Sequence, residues 1–298
     1  MIRFLARRLI FCVVLTVLAA SASLLLTRIA PGDLTVSLGP FATARDVAAA
    51  RARFALDRPV ASQWGDWLVH AVRFDFGESF LYNRPVAPLV VRAAGNTALL
   101  ALAALTIATA LGLGLGIITG SRHGGVLAGA IRAGSMAAVS LPPLLMSLAL
   151  LFIAARTGWL SLSGLTLPAI ALALPIAASF ERLQAAALQD QIGEPFVVAA
   201  AARGVAPRDL ILRHAWPASL RSLTAIYGLA IGTLLSGSFV VEFVTAWPGL
   251  GRLMYDALRA RDIYLVAGCA AVGAGLLSIG MLIGDVLLAV VDPRVRES

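Results

Sequence analysis

Residues able to do covalent or acid–base chemistry are few in this chain and far apart. The three histidines, His70, His123 and His214, fall in separate segments, and no carboxylate pair, cysteine cluster or Ser-His-Asp set accompanies them. Cys12 and Cys269 each lie within an apolar run, the setting of small buried hydrophobes and not of a disulfide or metal site. No lysine occurs, so all 24 basic residues are arginine. That excludes a Walker A loop, whose lysine holds the phosphates, and Schiff-base catalysis, which needs an amine. The residue types predict no catalytic centre, no metal and no cofactor on this chain. Asp285 is the one carboxylate inside an apolar run, where a charge is costly and often functional. It lies seven residues before Asp292 and reads as structural, pairing with a partner helix.

The elements around these residues are built for lipid. Of 298 residues, 59% are hydrophobic and 13% charged, whereas soluble domains carry about a quarter charged. Apolar runs predict six membrane-spanning helices at about residues 9–28, 97–119, 133–155, 165–180, 223–241 and 263–291. The first run, with arginines before it and small residues after, also has the look of a signal peptide. Its 19 uncharged residues exceed the roughly 7 to 15 of such a segment, so a retained helix is expected. The fourth run is short and carries Pro168 and Pro175, which predicts a kink.

The net charge of +8 comes from arginines in short loops beside the spans, which set membrane orientation and give no reason to expect nucleic acid. With six spans, Arg3, Arg7 and Arg8, Arg122 and Arg132, the arginines between 182 and 221, and Arg294 and Arg296 share one side. That side, with both termini, is expected to be cytoplasmic. Residues 30–96 then lie outside, and Trp64, Trp67, Phe74, Phe76 and Phe80 predict a folded or interface-lying cap there. Glycines spaced by four, Gly112, Gly116 and Gly120, then Gly280 and Gly284, predict close helix packing.

Residues 181–222 form the cytoplasmic segment between the fourth and fifth spans. An alanine run at 199–202, then Gly204 and Pro207, predicts helix, break, helix: two short helices at an angle, making a compact knob. By composition alone the knob is a structured connector.

Its sequence carries more. Phe196-Val197, Ala200, Ala202-Arg203-Gly204, Arg208, Leu210 and Leu212-Arg213-His214-Ala215 resemble the coupling loop of permeases from ATP-binding-cassette (ABC) importers, in the variant of the dipeptide/oligopeptide/nickel family. Against the general importer signature, Ala199, Ala200, Gly204 and Pro217 align, while Val198, His214 and Trp216 replace Glu, Ile and Leu. The histidine fits the peptide-permease variant; the valine removes any ion pair a glutamate would make. The resemblance extends along the chain through Arg7-Arg8-Leu9, Arg28, Ala30-Pro31-Gly32-Asp33, Asp75-Phe76-Gly77, Ser79, Arg84-Pro85-Val86, Val241-Glu242, Trp247-Pro248-Gly249-Leu250-Gly251-Arg252, Arg261-Asp262 and Asp292-Pro293-Arg294.

This resemblance implies a single all-α transmembrane domain of the type I importer fold in a bacterial inner membrane. It also implies a second homologous permease, two ATPase subunits that bind ATP and magnesium, and an extracytoplasmic substrate-binding protein as partners. Phe196 to Pro217 would seat on an ATPase subunit, with Arg203, Arg208, Arg213 and His214 as the polar contacts; the arginines equally suit topology and lipid headgroups. Trp247, Pro248, Gly249, Leu250 and Gly251 would dock the binding protein or line the outer gate, or serve as an interfacial anchor and turn. The solute would be a dipeptide or oligopeptide, with a nickel chelate as the other class. A self-sufficient secondary transporter or channel is the competing reading; it needs ionisable groups near mid-membrane, and only Asp285 offers one.

Overall fold

In the computed structural model of the protein, residues 2–29, 43–53, 57–121, 124–158 and 164–291 are described. Arg122, His123 and the motifs at 30–33 and 292–294 lie outside them. The contacts divide the chain into two units, residues 1–97 with 248–279 and residues 98–247 with 280–298.

The first unit begins with α1, Ile2–Ile29, whose side chains at Leu9, Ile10, Phe11, Val13, Val14 and Leu18 stand exposed. Such a continuous apolar surface is untenable in water and ordinary in lipid. Two short helices follow, α2 (Ala44–Arg53) and α3 (Val60–Ala71). A hairpin then pairs β1 (Glu78–Ser79) antiparallel with β2 (Arg84–Pro85). The predicted aromatic cap is therefore folded where it is described. Trp64 donates its indole N–H to Ser21 of α1 at 2.9 Å, and Trp67 donates to the Phe76 carbonyl at 3.2 Å. Trp67 and Phe76 sink into a core with Val86, Val90, Ala257 and Leu265. That core joins the start of α4 (Val86–Ser121) to α11 (Leu250–Arg259) and the start of α12 (Ile263–Val291).

One buried carboxylate organises this unit. Asp262 accepts from the Ser79 hydroxyl at 2.6 Å, the Leu81 amide at 3.0 Å and the Leu265 amide at 3.1 Å. It thus caps α12, satisfying an amide of the helix's first turn, and fastens the hairpin to that helix.

The second unit holds residues 98–121 of α4, then α5 (Val126–Ser140), α6 (Pro143–Thr157), α7 (Thr166–Ile192), α8 (Pro195–Ala202), α9 (Pro207–Asp209), α10 (Trp216–Val244) and the end of α12. The glycine spacing has the predicted effect. A methyl group added at Gly112, Gly116 or Gly120 would fall 2.7, 2.8 or 2.9 Å from the carbonyl oxygens of Ala177, Glu181 and Ala185. Two ridges of four-residue period, one on each helix, are thus in backbone contact. At Gly284 a methyl group would meet the Cα of Gly228 on α10, so α12 and α10 pack as closely.

Among the described residues five helices are long and apolar enough to cross a membrane: α1, α4, α7, α10 and α12. The expected third span, 133–155, is instead the bent pair α5 and α6, at 113°. The cause is Pro142-Pro143 inside the run: Leu141, before a proline, is forced extended (φ −90°, ψ 122°), and α6 restarts with proline in its first turn. Elsewhere the helices outrun the apolar stretches. The fourth, expected to be short, is the 27-residue α7, with Pro175 inside it. The 36-residue α4 starts at Val86, eleven positions before the apolar run, because Arg92 and Asn96 lower hydropathy without breaking a helix.

Candidate functional site

The segment after α7 is built as helix, break, helix, with one difference from expectation. Pro195 opens α8, whose amides at Val197 and Val198 reach the Glu194 carbonyl. Gly204 ends it in a left-handed conformation, φ +85°, with its amide on the Ala201 carbonyl. This is the conformation glycine alone adopts without penalty. Pro207 then starts the return helix. Instead of standing as a separate short helix, that segment runs from α9 through a π-helical turn, Leu210–Ala215, directly into α10. Pro217 gives the physical reason: it cannot donate to the Arg213 carbonyl four residues back, and the wider turn before it relieves the clash.

A small core of Leu188, Val197 and Ala215, with Ile117, Ile192, Leu210, Ile211 and Trp216 against it, fixes α8 to α7 and to the π turn. Ala200 is buried while its neighbour Ala199 faces out. Phe196, Val198 and Leu212 are 45%, 56% and 49% exposed, a set of large apolar side chains on a short, braced segment. Arg203, Arg208 and Arg213 are exposed beside them. Arg213 makes a solvent-exposed ion pair with Asp209 at 3.2 Å, of the kind worth at most about 1 kcal/mol. His214 Nδ1 lies 3.2 Å from the Asp209 carbonyl; since that oxygen can only accept, the ring donates there.

Beneath the segment lies a buried polar cluster that residue-type reasoning missed. Glu181 and Gln184, one turn apart on α7, are both fully enclosed. Thr119 of α4 donates its hydroxyl to Glu181 Oε1. Gln184 donates to Ser219 of α10 at 2.8 Å, and Ser219 donates to the Trp216 carbonyl at 2.7 Å. Arg132 of α5 reaches the Thr119 carbonyl at 2.9 Å. Directional bonds between α4, α5, α7 and α10 fix the rotation of each helix where the braced segment begins. Glu181 and Gln184 fall on the ridge that opposes Gly116, a register visible in the sequence only once the two helices are known to pair.

The other candidates sit apart. Trp247 packs against the core of the second unit with Leu100 and Leu172. Pro248, Gly249, Leu250 and Gly251 belong to the first unit, where Asn96 donates to the Pro248 carbonyl at 2.7 Å and the Leu250 amide donates to Thr97 at 2.8 Å. Asp285 is half-buried on α12, next to the Gly284 crossing. Near the hairpin turn, burial and then the Asp256 carboxylate push the Tyr82 phenol above its ordinary range, so it stays a neutral hydroxyl. No group of three or more metal-ligating side chains occurs among the described residues.

Comparison with known proteins places the whole arrangement. Residues 112–297 match the family model of the binding-protein-dependent transport system inner membrane component, and residues 1–101 match the N-terminal model of the same systems. A probable peptide ABC transporter permease of Sinorhizobium fredii is 27% identical over 98% of this chain and 99% of its own. AppB, an oligopeptide transport system permease of Bacillus subtilis, is 28% identical over 92% and 93%. OppB, named likewise in Mycobacterium tuberculosis, is 27% identical over the full length of both. Matches across both halves, on a helical membrane fold with a braced loop ahead of its penultimate span, lead to one conclusion: the chain is a multi-pass inner-membrane permease of the ABC importer family, the membrane component of binding-protein-dependent transport systems.

Proposed function

We propose that this permease forms half of the translocation pathway of a peptide importer and takes its drive from ATPase subunits through residues 196–217. The observation that carries the reading is the braced knob. Phe196, Val198 and Leu212 stay exposed on a segment locked to α7 and α10 by Leu188, Val197 and Ala215. Exposed apolar anchors on a rigid support are what a partner groove covers, and rigidity is what lets a movement there reach the pathway helices. Arg203, Arg208, Arg213 and His214 supply the polar contacts. The ATPase partners hold ATP and magnesium, and a second homologous permease completes the pathway.

The names of the relatives, peptide and oligopeptide permeases, support a peptide as the solute, with a nickel chelate as the alternative class. Both termini and residues 193–206 face the cytoplasm when the bent pair α5–α6 crosses as one span. Trp247 to Gly251 belong to the outer side, where the binding protein delivers solute. The test is uptake of a labelled tripeptide into proteoliposomes holding the complete complex. Uptake that requires ATP on the ATPase side and falls at least ~10-fold with Gly204→Val supports the proposal, because a β-branched residue at φ +85° costs at least about 1–2 kcal/mol and re-aims α8. Uptake that proceeds without ATP would contradict it.

A further inference from the structure

A groove of about 390 Å³ in the first unit has no role in the account so far. Val17 of α1, Leu68 of α3 and Leu276 of α12 line it, with Val72 and Phe74 from the turn after α3. Only two side chains of its lining are polar, and both are engaged elsewhere. Thr16 donates to the Cys12 carbonyl at 2.8 Å, and Trp67 donates to the Phe76 carbonyl at 3.2 Å. With no hydrogen left to offer a polar solute, the groove suits an apolar chain.

Depth says what covers it. Thr16 and Ala20 lie seven residues inside the two ends of the uncharged run 9–27, about 10 Å from either end. The hydrocarbon core is about 30 Å thick, so the groove stands within it. Val17 and Ile279 on its lining are 40% and 58% exposed, so the groove opens to lipid. Along α12 it runs from Ala271 to Ile279, about 12 Å, close to the ~15 Å of a single leaflet.

The turn after α3 brings a charge beside the groove. The amides of Arg73 and Phe74 bond to the His70 and Ala71 carbonyls, which leaves Phe74 at φ +60°, rare for a bulky residue. That strained turn keeps the Phe74 ring 70% exposed and edge-on to Phe76. Strain of this kind persists at ligand clamps. Arg73, exposed between Val72 and Phe74, can lay its stem on apolar surface and carry its guanidinium to the phosphate layer. The nearby Asp75 is occupied, accepting from the Gly77 amide at 3.0 Å.

We propose that this groove binds one acyl chain of an anionic phospholipid whose phosphate pairs with Arg73. Gly275 keeps the groove open: it lines the wall, and a methyl group added there would meet nothing within 4 Å. Two turns earlier on the same helix, a methyl group at Gly268 would fall 2.6 Å from Val86, so that glycine serves helix packing instead. The bound chain completes the packing of α1 against α3 and α12.

The test uses the complete transporter, purified in mild detergent and incubated with phosphatidylglycerol that carries a diazirine on one acyl chain. After illumination, adducts are mapped by mass spectrometry. They should gather on residues 16–20 and 271–279 of this chain. Gly275→Phe fills the groove and should cut them at least ~10-fold, the worth of a few buried methylenes. Gly273 has equally open surroundings but does not line the groove, so Gly273→Phe should change them less than ~2-fold. Arg73→Gln should lower labelling by phosphatidylglycerol ~5-fold, the worth of one basic residue at an anionic headgroup, and leave labelling by phosphatidylcholine unchanged. Wild-type labelling in Gly275→Phe overturns the proposal, as does an equal loss in Gly273→Phe. Equal labelling of the wild type by the two lipids overturns it as well. Adducts elsewhere on the chain but none on these residues would assign the groove to a helix of another subunit, which also overturns it.

Discussion

Replacing Gly116 by alanine tests the crossing of α4 and α7 that supports the coupling segment. The new methyl group would lie 2.6 Å from Gln184 Cβ and 2.8 Å from the Glu181 carbonyl oxygen. Backbone cannot retreat as a side-chain tip can, so the helices must separate by several tenths of an ångström, an overpacking that costs about 1–3 kcal/mol. Alanine also gains up to about 1 kcal/mol over glycine within a helix, which complicates a single measurement. Gly114 removes the complication. It lies on the same helix with nothing within 4 Å of its added methyl, so Gly114→Ala takes the same propensity gain without the clash. The difference between the two variants isolates the crossing. At roughly 2–4 °C per kcal/mol, a 2 kcal/mol difference separates their unfolding midpoints by about 4–8 °C, Gly116→Ala being the lower. The assay is thermal unfolding of the purified protein in detergent, followed by loss of the monodisperse peak. Equal midpoints would mean that the helices do not meet at this ridge.

Three further expectations follow from the same contacts. Thr119→Val removes the donor to Glu181 inside a closed interface and should lower stability by about 1–3 kcal/mol, read in the same unfolding assay; a neutral result would show that the carboxylate is solvated. Asp262→Ala strips three acceptor bonds from the hairpin and α12, so protease should cut the 78–85 hairpin at least ~10-fold faster, a loss of about 1.4 kcal/mol in local stability; an unchanged cleavage rate would disprove that role. Phe196→Ala/Leu212→Ala removes two exposed anchors and should leave the midpoint within about 0.5 kcal/mol of wild type while reducing ATPase recovery on affinity purification; undiminished recovery would place the ATPase contact elsewhere.

The membrane class, the close glycine crossings and the left-handed turn at Gly204 were all legible in the sequence, because each follows from one residue type at one spacing. Less legible was where helices stop. Hydropathy reports the solvent around a helix and not its hydrogen bonding, so α7 continues through Glu181 and Gln184 to Ile192 although its apolar run ends at Phe180. The apolar run 133–155 reads as one span because hydropathy does not register Pro142-Pro143, the pair at which the chain bends by 113°. Nor does composition show that the return helix runs on into α10, because a π turn has no residue signature of its own. Asp262 draws together residues 183 and 181 positions apart, which no local pattern reveals.

The central claim, that this chain works as one membrane subunit of an ATP-driven importer, is tested most directly by isolating it from its native membrane. Affinity purification after mild detergent extraction, with the co-purifying chains identified by mass spectrometry, should recover a P-loop ATPase and a second permease in stoichiometric amounts. A chain that came down alone and carried solute in liposomes without ATP would contradict the account and identify a secondary transporter instead.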